Sequence, residues 1–460
     1  MTARRVAVVG GGLAGITAAL RLADAGHSVA VFEARPRLGG LTYSFRRGEL
    51  SVDNGQHVFL RCCTAYQALL SRLGVSDLAT LQPRLDIPVR SAGRRRATRL
   101  RRNNLPAPLH LGSSLMRYAP LRPRERVRFI RAALAMRRLD VNDPATDSRS
   151  FGQWLSAHGQ SERAIDGLWD LVGRATLNVT ASEASLAQAA MVFQVGLLTE
   201  TGAADIGWSR VPLGRLHGEA AAAALTAAGA TVRTNTKVES IAQAEAVSGP
   251  PPGRGRRASW IVTGGGEEHL ADQVVMAVPP GTTEHLLPAG SLPFAEGWSR
   301  ELGTSPIVNV HVVYDRRVLD EEFVAGVGTP IQWVFDRTGP SGLAAGQYLA
   351  VSLSAADDII DLPVAQIREA IMAALEALLP AARQAQVLDF FVTREREATF
   401  RASPGTGRLR SGPVTAHPGL VVAGAWTATG WPATMEGAVR SGDAAAAALL
   451  GQSVLEEVAA

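Results

Sequence analysis

The chain has 460 residues, enough for two or three domains at roughly 150 residues each. Hydrophobic residues make up 46% and charged residues 19%, a balance typical of a packed globular protein that excludes a disordered chain. The only two cysteines, Cys62 and Cys63, are adjacent, which excludes a disulfide scaffold and predicts no metal site. No segment reaches the about 18 uninterrupted apolar residues of a transmembrane helix, so none is predicted.

The positive charge of the chain is almost entirely arginine. The formal net charge is +5, and Lys237 is the only lysine. A GC-rich coding sequence alone would favour arginine in this way. The alternative interpretation is a basic surface that meets an anionic partner.

The N-terminus has the pattern of a βαβ unit. Residues 5–9 are a short β-branched run typical of a buried parallel strand. Residues 16–25 are predicted to form a helix, and residues 27–32 a second strand. A signal peptide is the competing interpretation, because two arginines precede an apolar run and an A-x-A sequence follows it. The glycines inside the apolar run and the immediate second strand favour the βαβ unit.

The glycines of this unit predict a dinucleotide site. The pattern G-x-G-x-x-G falls on Gly10, Gly12 and Gly15, which allow a tight turn, approach to a pyrophosphate and close packing of helix and strand. Glu33 ends the second strand at the spacing of a carboxylate that binds ribose hydroxyls. The predicted cofactor-binding residues of the unit are Gly10, Gly12, Leu13, Ala14, Gly15, Glu33 and Ala34.

An R-x-G-G sequence follows the ribose carboxylate, at Arg37, Gly39 and Gly40. This combination resembles flavoproteins with two dinucleotide-binding domains, in the flavin amine oxidase and phytoene desaturase superfamily. The resemblance implies FAD rather than NAD. Non-covalent binding is expected, because neither Cys62 nor Cys63 lies in the C-terminal segment. The resemblance also implies that Arg37 makes a charge-assisted contact to the pyrophosphate beside the two glycines.

The segment at residues 53–60 reads D-N-G-Q-H-V-F-L. It resembles a narrower group, the squalene-associated FAD-dependent desaturases, now understood as hydroxysqualene dehydroxylases. In the superfamily this segment lies near the flavin. The resemblance motivates the hypothesis that His57 is a proton donor or orienting group, with Asp53 and Glu436 behind it. A hairpin with a purely structural histidine is the alternative.

The C-terminal part carries the second strong resemblance to the same group. A strand is predicted over residues 419–426, then a loop and a helix that begins near residues 432–434, where Pro432 favours a helix start. The positive end of that helix would face the flavin pyrimidine. Relatives usually have Gly-Asp where this chain has Gly424-Ala425, which puts tight FAD retention in question. The cofactor-binding residues implied here are Gly424, Ala425, Thr434, Met435 and Glu436.

Residues 84–102 contain eight arginines against one acid, Asp86. A helix predicted over residues 124–139 places apolar residues on about half its circumference and arginines on another face. The helix either closes a core with its other face in solvent or lies on an anionic membrane surface. Nucleic acid is not expected, because no binding module or aromatic platform accompanies the arginines.

Further elements are predicted from hydrophobic patterns. A turn and strand are expected at 229–238, strands at 272–278, 307–314, 331–335 and 348–353, and helices at 176–194, 216–228 and 367–379. The resemblance places the backbone of Val238 against the adenine. The predicted fold class is α/β, with a Rossmann-type FAD-binding domain and a discontinuous α+β substrate domain.

The predicted division assigns residues 1–83, 206–290 and 386–460 to the FAD-binding domain. Residues 84–205 and 291–385 form the substrate-binding domain, which includes the helices that face a membrane in the second interpretation.

The resemblance spans nearly the whole chain and implies an FAD-dependent oxidoreductase. Its substrate would be a C30 isoprenoid, hydroxysqualene, whose hydroxyl is removed to give squalene for hopanoid synthesis. That reaction needs a separate electron donor. A carotenoid-type desaturase, an amine oxidase and a lipid carrier with a vestigial flavin fold are the alternatives. The expected location is the cytoplasm, with peripheral attachment at the inner face of the membrane as an option.

Overall fold

A computed structural model describes residues 3–92, 97–244 and 260–459, with side chains up to residue 451. Of the predicted basic run, Arg94, Arg95 and Arg96 lie outside the described residues. The same holds for residues 249–257, whose proline, glycine and arginine content predicts an exposed loop. Strands are numbered β1–β20 and α-helices α1–α15 along the chain.

A five-stranded parallel sheet forms the first layer, in the order β10-β2-β1-β14-β20. Its strands are β1 Arg5–Val9, β2 Ser28–Phe32, β10 Thr231–Arg233, β14 Gln273–Met276 and β20 Leu420–Val422. The helices α1 (Leu13–Asp24) and α15 (Met435–Ala459) pack together on this sheet. The sheet unites strands from three distant parts of the sequence and confirms the predicted α/β class.

A seven-stranded mixed sheet forms the second main unit, in the order β19-β15-β18-β17-β16-β7-β8. Its strands are β7 Asp86–Ser91, β8 Thr98–Arg101, β15 Thr304–Tyr314, β16 Phe323–Val327, β17 Trp333–Asp336, β18 Gln347–Ser354 and β19 Val387–Phe400. Alternate residues of β15, including Val308, Val310 and Val312, pack against helix α14 (Val364–Leu378). Residues 309 and 311 therefore lie on the opposite face.

Three small sheets complete the strands. They contain the hairpin β3 Ser44–Arg47 and β4 Leu50–Asp53, the set β5 Val58–Leu60, β6 Ala79–Leu81 and β9 Ile206–Ser209, and the set β11 Val238–Gln243, β12 Trp260–Gly264 and β13 Glu267–Ala271.

The remaining helices connect the sheets. They are α2 Thr64–Arg72, α3 Gly112–Met116, α4 Pro123–Met136, α5 Pro144–Asp147, α6 Phe151–Ala157, α7 Glu162–Ala164, α8 Asp170–Leu177, α9 Leu186–Phe193, α10 Ala220–Ala227, α11 Pro280–Leu286, α12 Trp298–Leu302 and α13 Thr338–Ser341. Short 3-10 turns cover Ser76–Leu78, Leu109–Leu111, Pro380–Gln384 and Thr406–Leu409, and π-helical turns cover Ile165–Trp169, Gln194–Leu198 and Gly214–Glu219.

Two predicted elements are each divided in the structure. The helix predicted at residues 176–194 is wrong as one element, because Asn178 adopts a left-handed conformation (φ 56°) that ends α8. A new helix, α9, starts after Ser185, whose hydroxyl accepts a hydrogen bond from the Gln188 amide. The turn and strand predicted at 229–238 are likewise divided: β10 ends before Asn235 (φ 53°), and Val238 already begins β11 in a different sheet.

The proposed division into two domains stays a prediction. Strand β19 begins at Val387, inside the part assigned to FAD binding, yet it pairs along β15 in the seven-stranded sheet.

Candidate active site

The two N-terminal glycine motifs lie against each other. The Gly39 amide donates to the Gly11 carbonyl at 2.8 Å, and a Cβ on Gly40 would be 2.9 Å from the Gly12 Cα. Within the described residues no side chain caps α1, so its first N–H groups stay available to an anion. These two loops and the start of α1, here called the cradle, leave no space for side chains at the glycines. Main-chain amides can therefore approach a pyrophosphate bound between the loops.

Glu33 is held at the end of β2 by two main-chain donors. Its Oε2 accepts from the Gly11 amide at 2.7 Å and its Oε1 from the Arg35 amide at 2.8 Å. Each carboxylate oxygen keeps a lone pair, which fits the predicted contact to ribose hydroxyls. The Thr236 amide donates to the Glu33 carbonyl at 2.9 Å, so buried Val238, two residues later, starts β11 at the same edge.

Arg37 has the features of a phosphate ligand. Its guanidinium lies 3.8 Å from the centre of the Tyr43 ring. Its Nε is buried and makes no hydrogen bond within the part of the chain that the structure describes. A buried charged donor without an acceptor is unfavourable, and a bound phosphate would supply the acceptor that Arg37 Nε lacks.

Helix α15 begins where the sequence predicts. The Thr434 hydroxyl accepts from the Gly437 amide at 3.1 Å and caps the helix before Met435. The preceding loop is fixed by Arg410, which donates to the carbonyls of Trp426, Thr427 and Trp431 at 3.1, 2.7 and 2.6 Å. Burial lowers the pKa of Arg410 to about 10. No motif in the sequence links Arg410 to this loop, so only the folded chain reveals its role.

Gly424 and Ala425 lie at the start of that loop. Gly424 has a φ of 144°, and its amide donates to the Ser441 hydroxyl at 2.8 Å. The Ala425 carbonyl accepts from Arg410 at 3.4 Å. The side chains of Ser441 and Arg410 thus hold the main chain of the loop at these two residues.

Glu436 is fully used by structural contacts. It is 1% exposed, and its carboxylate accepts from the amides of Tyr66 (2.7 Å) and Ala65 (3.2 Å) at the start of α2. Arg440, one turn later, donates to it at 2.7 Å. These contacts join α15 to α2 and give no support to the predicted catalytic role.

Asp53 is also an anchor. Its Oδ2 pairs with Arg337 at 2.8 Å, with both side chains below 10% exposed, and its Oδ1 accepts from the Ser44 hydroxyl and the Leu213 amide at 2.6 and 2.9 Å. Buried charges of this kind require such partners. Arg337 also donates to the Ser209 carbonyl, and its position far along the chain explains why sequence analysis missed it.

His57 is half-buried, and its Nδ1 lies 3.3 Å from the Gly55 carbonyl. Burial lowers the pKa of the ring, although the Gly55 contact and the charges of Asp53 and Glu395 act in the opposite direction. At neutral pH the ring is uncharged, with Nδ1–H donating to the carbonyl and Nε2 left as an acceptor.

His217 lies beside His57 and was missed by sequence analysis. A Cβ on Gly39 would be 3.7 Å from the Cβ of His217. His217 Nε2 is hydrogen-bonded to the Tyr66 hydroxyl at 2.8 Å. Burial, and then the interaction with His57, lowers the pKa of His217 to about 3. The R-x-G-G loop, the D-N-G-Q-H segment and the start of α15 therefore meet around Tyr66 and His217.

The parallel sheet and its two glycine loops define an FAD-dependent oxidoreductase, and the predicted cofactor is confirmed. The chain belongs to the family of flavin containing amine oxidoreductases, whose family model matches residues 13–450. Among solved structures, it is similar to cyclohexylamine oxidase from Brevibacterium oxydans (TM-score 0.72, 20% identity, 99% of this chain and 100% of that one). It is also similar to putrescine oxidase bound to putrescine (TM-score 0.71, 22% identity, 98% of this chain and 99% of that one).

Curated relatives extend the similarity. The chain is 28% identical over 455 residues to hydroxysqualene dehydroxylase from Sinorhizobium fredii, covering 96% of this chain and 97% of that protein. Identity to hydroxysqualene dehydroxylase from Rhodopseudomonas palustris is 29% over 469 residues, with the same coverage. Identity to 15-cis-phytoene desaturase from Synechococcus elongatus is 24% over 471 residues, covering 97% and 96%.

Replacement of Arg37 by Met tests the cradle. We expect the Kd for FAD to rise about 10- to 100-fold, because the variant loses a charge-assisted donor but keeps the apolar stem. The measurement is a fluorescence titration of FAD-depleted protein. Arg35→Met is the matched control, since Arg35 is exposed two residues away. Equal weakening in both variants would mean that only the local net charge matters.

Proposed function

We propose that this enzyme reductively removes the hydroxyl of hydroxysqualene to give squalene. The observation that carries the proposal is the similarity to two hydroxysqualene dehydroxylases over 96% of the chain, at higher identity than to the phytoene desaturases. The match of residues 53–60 and of the start of α15 to that group supports the same choice.

For this reaction the protein must bind the substrate and FAD and supply one proton to the leaving hydroxyl. FAD, when bound in reduced form, supplies the hydride that replaces the hydroxyl, and water leaves. The departing hydroxyl needs a proton, and protonated His57 is the proposed donor: Nδ1 is held by the Gly55 carbonyl, so the open Nε2 is the nitrogen that takes up a proton and passes it on. The FAD itself is held non-covalently.

An amine oxidase reaction is a poorer fit. Many amine oxidases use a lysine near the flavin, whereas the single lysine of this chain, Lys237, is exposed between β10 and β11 on the side predicted for adenine.

Product analysis tests the proposed reaction. We expect the FAD-loaded enzyme, reduced under anaerobic conditions, to convert hydroxysqualene to squalene and reoxidise its flavin stoichiometrically. The oxidised enzyme with phytoene is the comparison. Formation of a more unsaturated carotene, without squalene formation in the first arm, would identify a desaturase instead.

Replacement of His57 by Ala tests the proton donor. We expect kcat to fall at least about 100-fold, because general acid catalysis of this kind contributes 10²–10⁴-fold. Wild-type kcat should rise as the pH falls below about 6.5, since burial lowers the pKa of His57. The charged and titratable groups around the ring are Asp53, Glu395, Arg337 and His217. Full turnover by the variant with bound flavin would remove His57 from the mechanism.

The proposed partner is an anionic membrane surface, from which a lipid substrate is taken. Helix α4 has two apolar faces rather than the single one predicted. Ala133 and Met136 are buried inward, and Phe129 packs on Trp169 at 4.5 Å. Val127, Ile130 and Leu134, spaced i, i+3 and i+7, point outward and are 46%, 37% and 46% exposed. The outward face therefore contributes nothing to the core.

The same region concentrates exposed apolar side chains and positive charge. Six of the twelve exposed large hydrophobic side chains among the described residues lie between residues 105 and 134: Leu105, Leu109, Met116, Val127, Ile130 and Leu134. Residues 105–138 contain eight arginines and one acid, Glu125, which bonds the Arg122 amide and the Ser161 hydroxyl. Apolar residues flanked by arginines fit a helix lying in the plane of an anionic bilayer surface. In the described part of the chain, no helix combines the length and hydropathy required to span a bilayer.

Vesicle sedimentation tests this surface. We expect binding to vesicles of phosphatidylglycerol and phosphatidylcholine, and weak binding to phosphatidylcholine alone. The triple variant Val127→Ser, Ile130→Ser, Leu134→Ser should bind at least about tenfold less, since three apolar side chains no longer insert. The matched control replaces Leu270, Leu388 and Val414, which are 54%, 55% and 55% exposed elsewhere. Equal loss in both triple variants, or no wild-type binding, contradicts the proposal.

A further inference from the structure

The D-N-G-Q-H segment is tied to the seven-stranded sheet through one main-chain carbonyl. The Asn54 carbonyl accepts from Asn309 Nδ2 at 3.1 Å and from the Thr393 hydroxyl at 3.0 Å. Asn309 and Thr393 lie directly opposite each other on β15 and β19. Both lone pairs of the carbonyl are therefore used by the sheet.

The carbonyl fixes the direction of every hydrogen bond behind it. A carbonyl only accepts, so Thr393 donates to it and its oxygen accepts from His311 Nε2, 3.0 Å away. His311 Nδ1 is then an acceptor, and the Tyr348 hydroxyl donates a hydrogen bond to it at 2.6 Å. Burial lowers the pKa of His311 to about 3, which fits the neutral tautomer that this chain requires. A line of bonds that ends on a carbonyl holds a position and does not relay protons.

The far end of this line is anchored in the core. His311 and Tyr348 are 0% and 1% exposed. The His311 ring stacks on Phe391, with ring centres 4.5 Å apart and planes 8° apart. Thr393 thus extends from a rigid part of the sheet to the segment.

The near end determines where His57 lies. Gly55 sits so close to the sheet that a Cβ there would be 3.0 Å from Asn309 Nδ2. The Gly55 carbonyl in turn lies 3.3 Å from His57 Nδ1. Because the Gly55 carbonyl follows directly on the peptide between residues 54 and 55, holding that peptide restricts where the imidazole lies.

We propose that Thr393, backed by His311 and Tyr348, is a positioning residue that aims His57 at the reacting group. The catalytic consequence rests on the proposed function, whereas the structural consequence for His57 does not. Misplacement of a reacting group by about 1 Å can cost about 100-fold in rate, so a single hydroxyl is enough to matter.

Thr393→Val tests the positioning role, because it keeps the shape of the side chain and removes its hydroxyl. We expect kcat for hydroxysqualene to fall about 10- to 100-fold with KM changed less than about threefold. Thr393→Ser, which restores the hydroxyl, should recover most of kcat. Independently of turnover, the His57 pKa in FAD-loaded protein, measured by NMR with labelled histidine, should rise in Thr393→Val as the freed ring becomes hydrated. The surrounding charged and titratable groups, Asp53, Glu395, Arg337 and His217, stay the same.

Thr399→Val is the matched control. Thr399 lies on the same strand, is equally half-buried and bonds Asn178 through its hydroxyl at 3.0 Å, but it has no contact with the segment. The proposal is overturned if Thr393→Val keeps the wild-type kcat and the wild-type His57 pKa. It is also overturned if Thr399→Val changes both quantities in the same way as Thr393→Val. If the wild type does not turn over hydroxysqualene, the proposed function fails, and the NMR comparison still decides whether Thr393 positions His57.

Discussion

The site depends on backbone approaching backbone at positions where any side chain would collide. A Cβ on Gly15 would be 1.9 Å from the Gly10 carbonyl oxygen, and one on Gly442 would be 2.3 Å from the Ala14 carbonyl oxygen. The first contact closes the glycine loop at the start of α1, and the second brings α15 against α1. Because of these contacts, segments more than 400 residues apart present their helix N-termini on one side of the sheet. The cofactor cradle follows from this packing.

Paired carboxylates hold the segments around that cradle. Asp53 pairs with Arg337, and Glu436 pairs with Arg440 while accepting from the first amides of α2. Asp205, fully buried, accepts from Arg102 and Arg61 at 2.6 and 2.9 Å. Asp53 and Arg337 are both buried, so removing Arg337 would leave the Asp53 charge without its ion-pair partner, at a cost of about 3–5 kcal/mol. These carboxylates therefore hold segments of the chain together around the site.

Local patterns were enough to predict the βαβ unit and the start of α15. The glycines, Pro432 and Thr434 act on backbone within a few residues of themselves, so their effect can be inferred from the sequence alone. Arg337, Arg410, His217 and Thr393 act on residues that only the folded chain brings near them, and no local signal marks them. The break at Asn178 was missed for a related reason: its left-handed conformation is stabilised by bonds to Ser305 and Ala355, more than 120 residues away.

The same contacts bear on the choice of reaction. The proposed dehydroxylation develops positive charge on an allylic carbon, which any free nucleophile nearby would trap. Around residues 53–57, the carboxylates of Asp53 and Glu395 accept bonds from Arg337 and from Tyr43 and Asn54, respectively. His217 bonds through Nε2, and His311 through both ring nitrogens. Within the part of the chain that the structure describes, the one hydrogen bond of the His57 ring is at Nδ1. With these side chains engaged, the open Nε2 of His57 can take up a proton and deliver it to the leaving hydroxyl. As an imidazolium, the ring has no free lone pair with which to trap the cation.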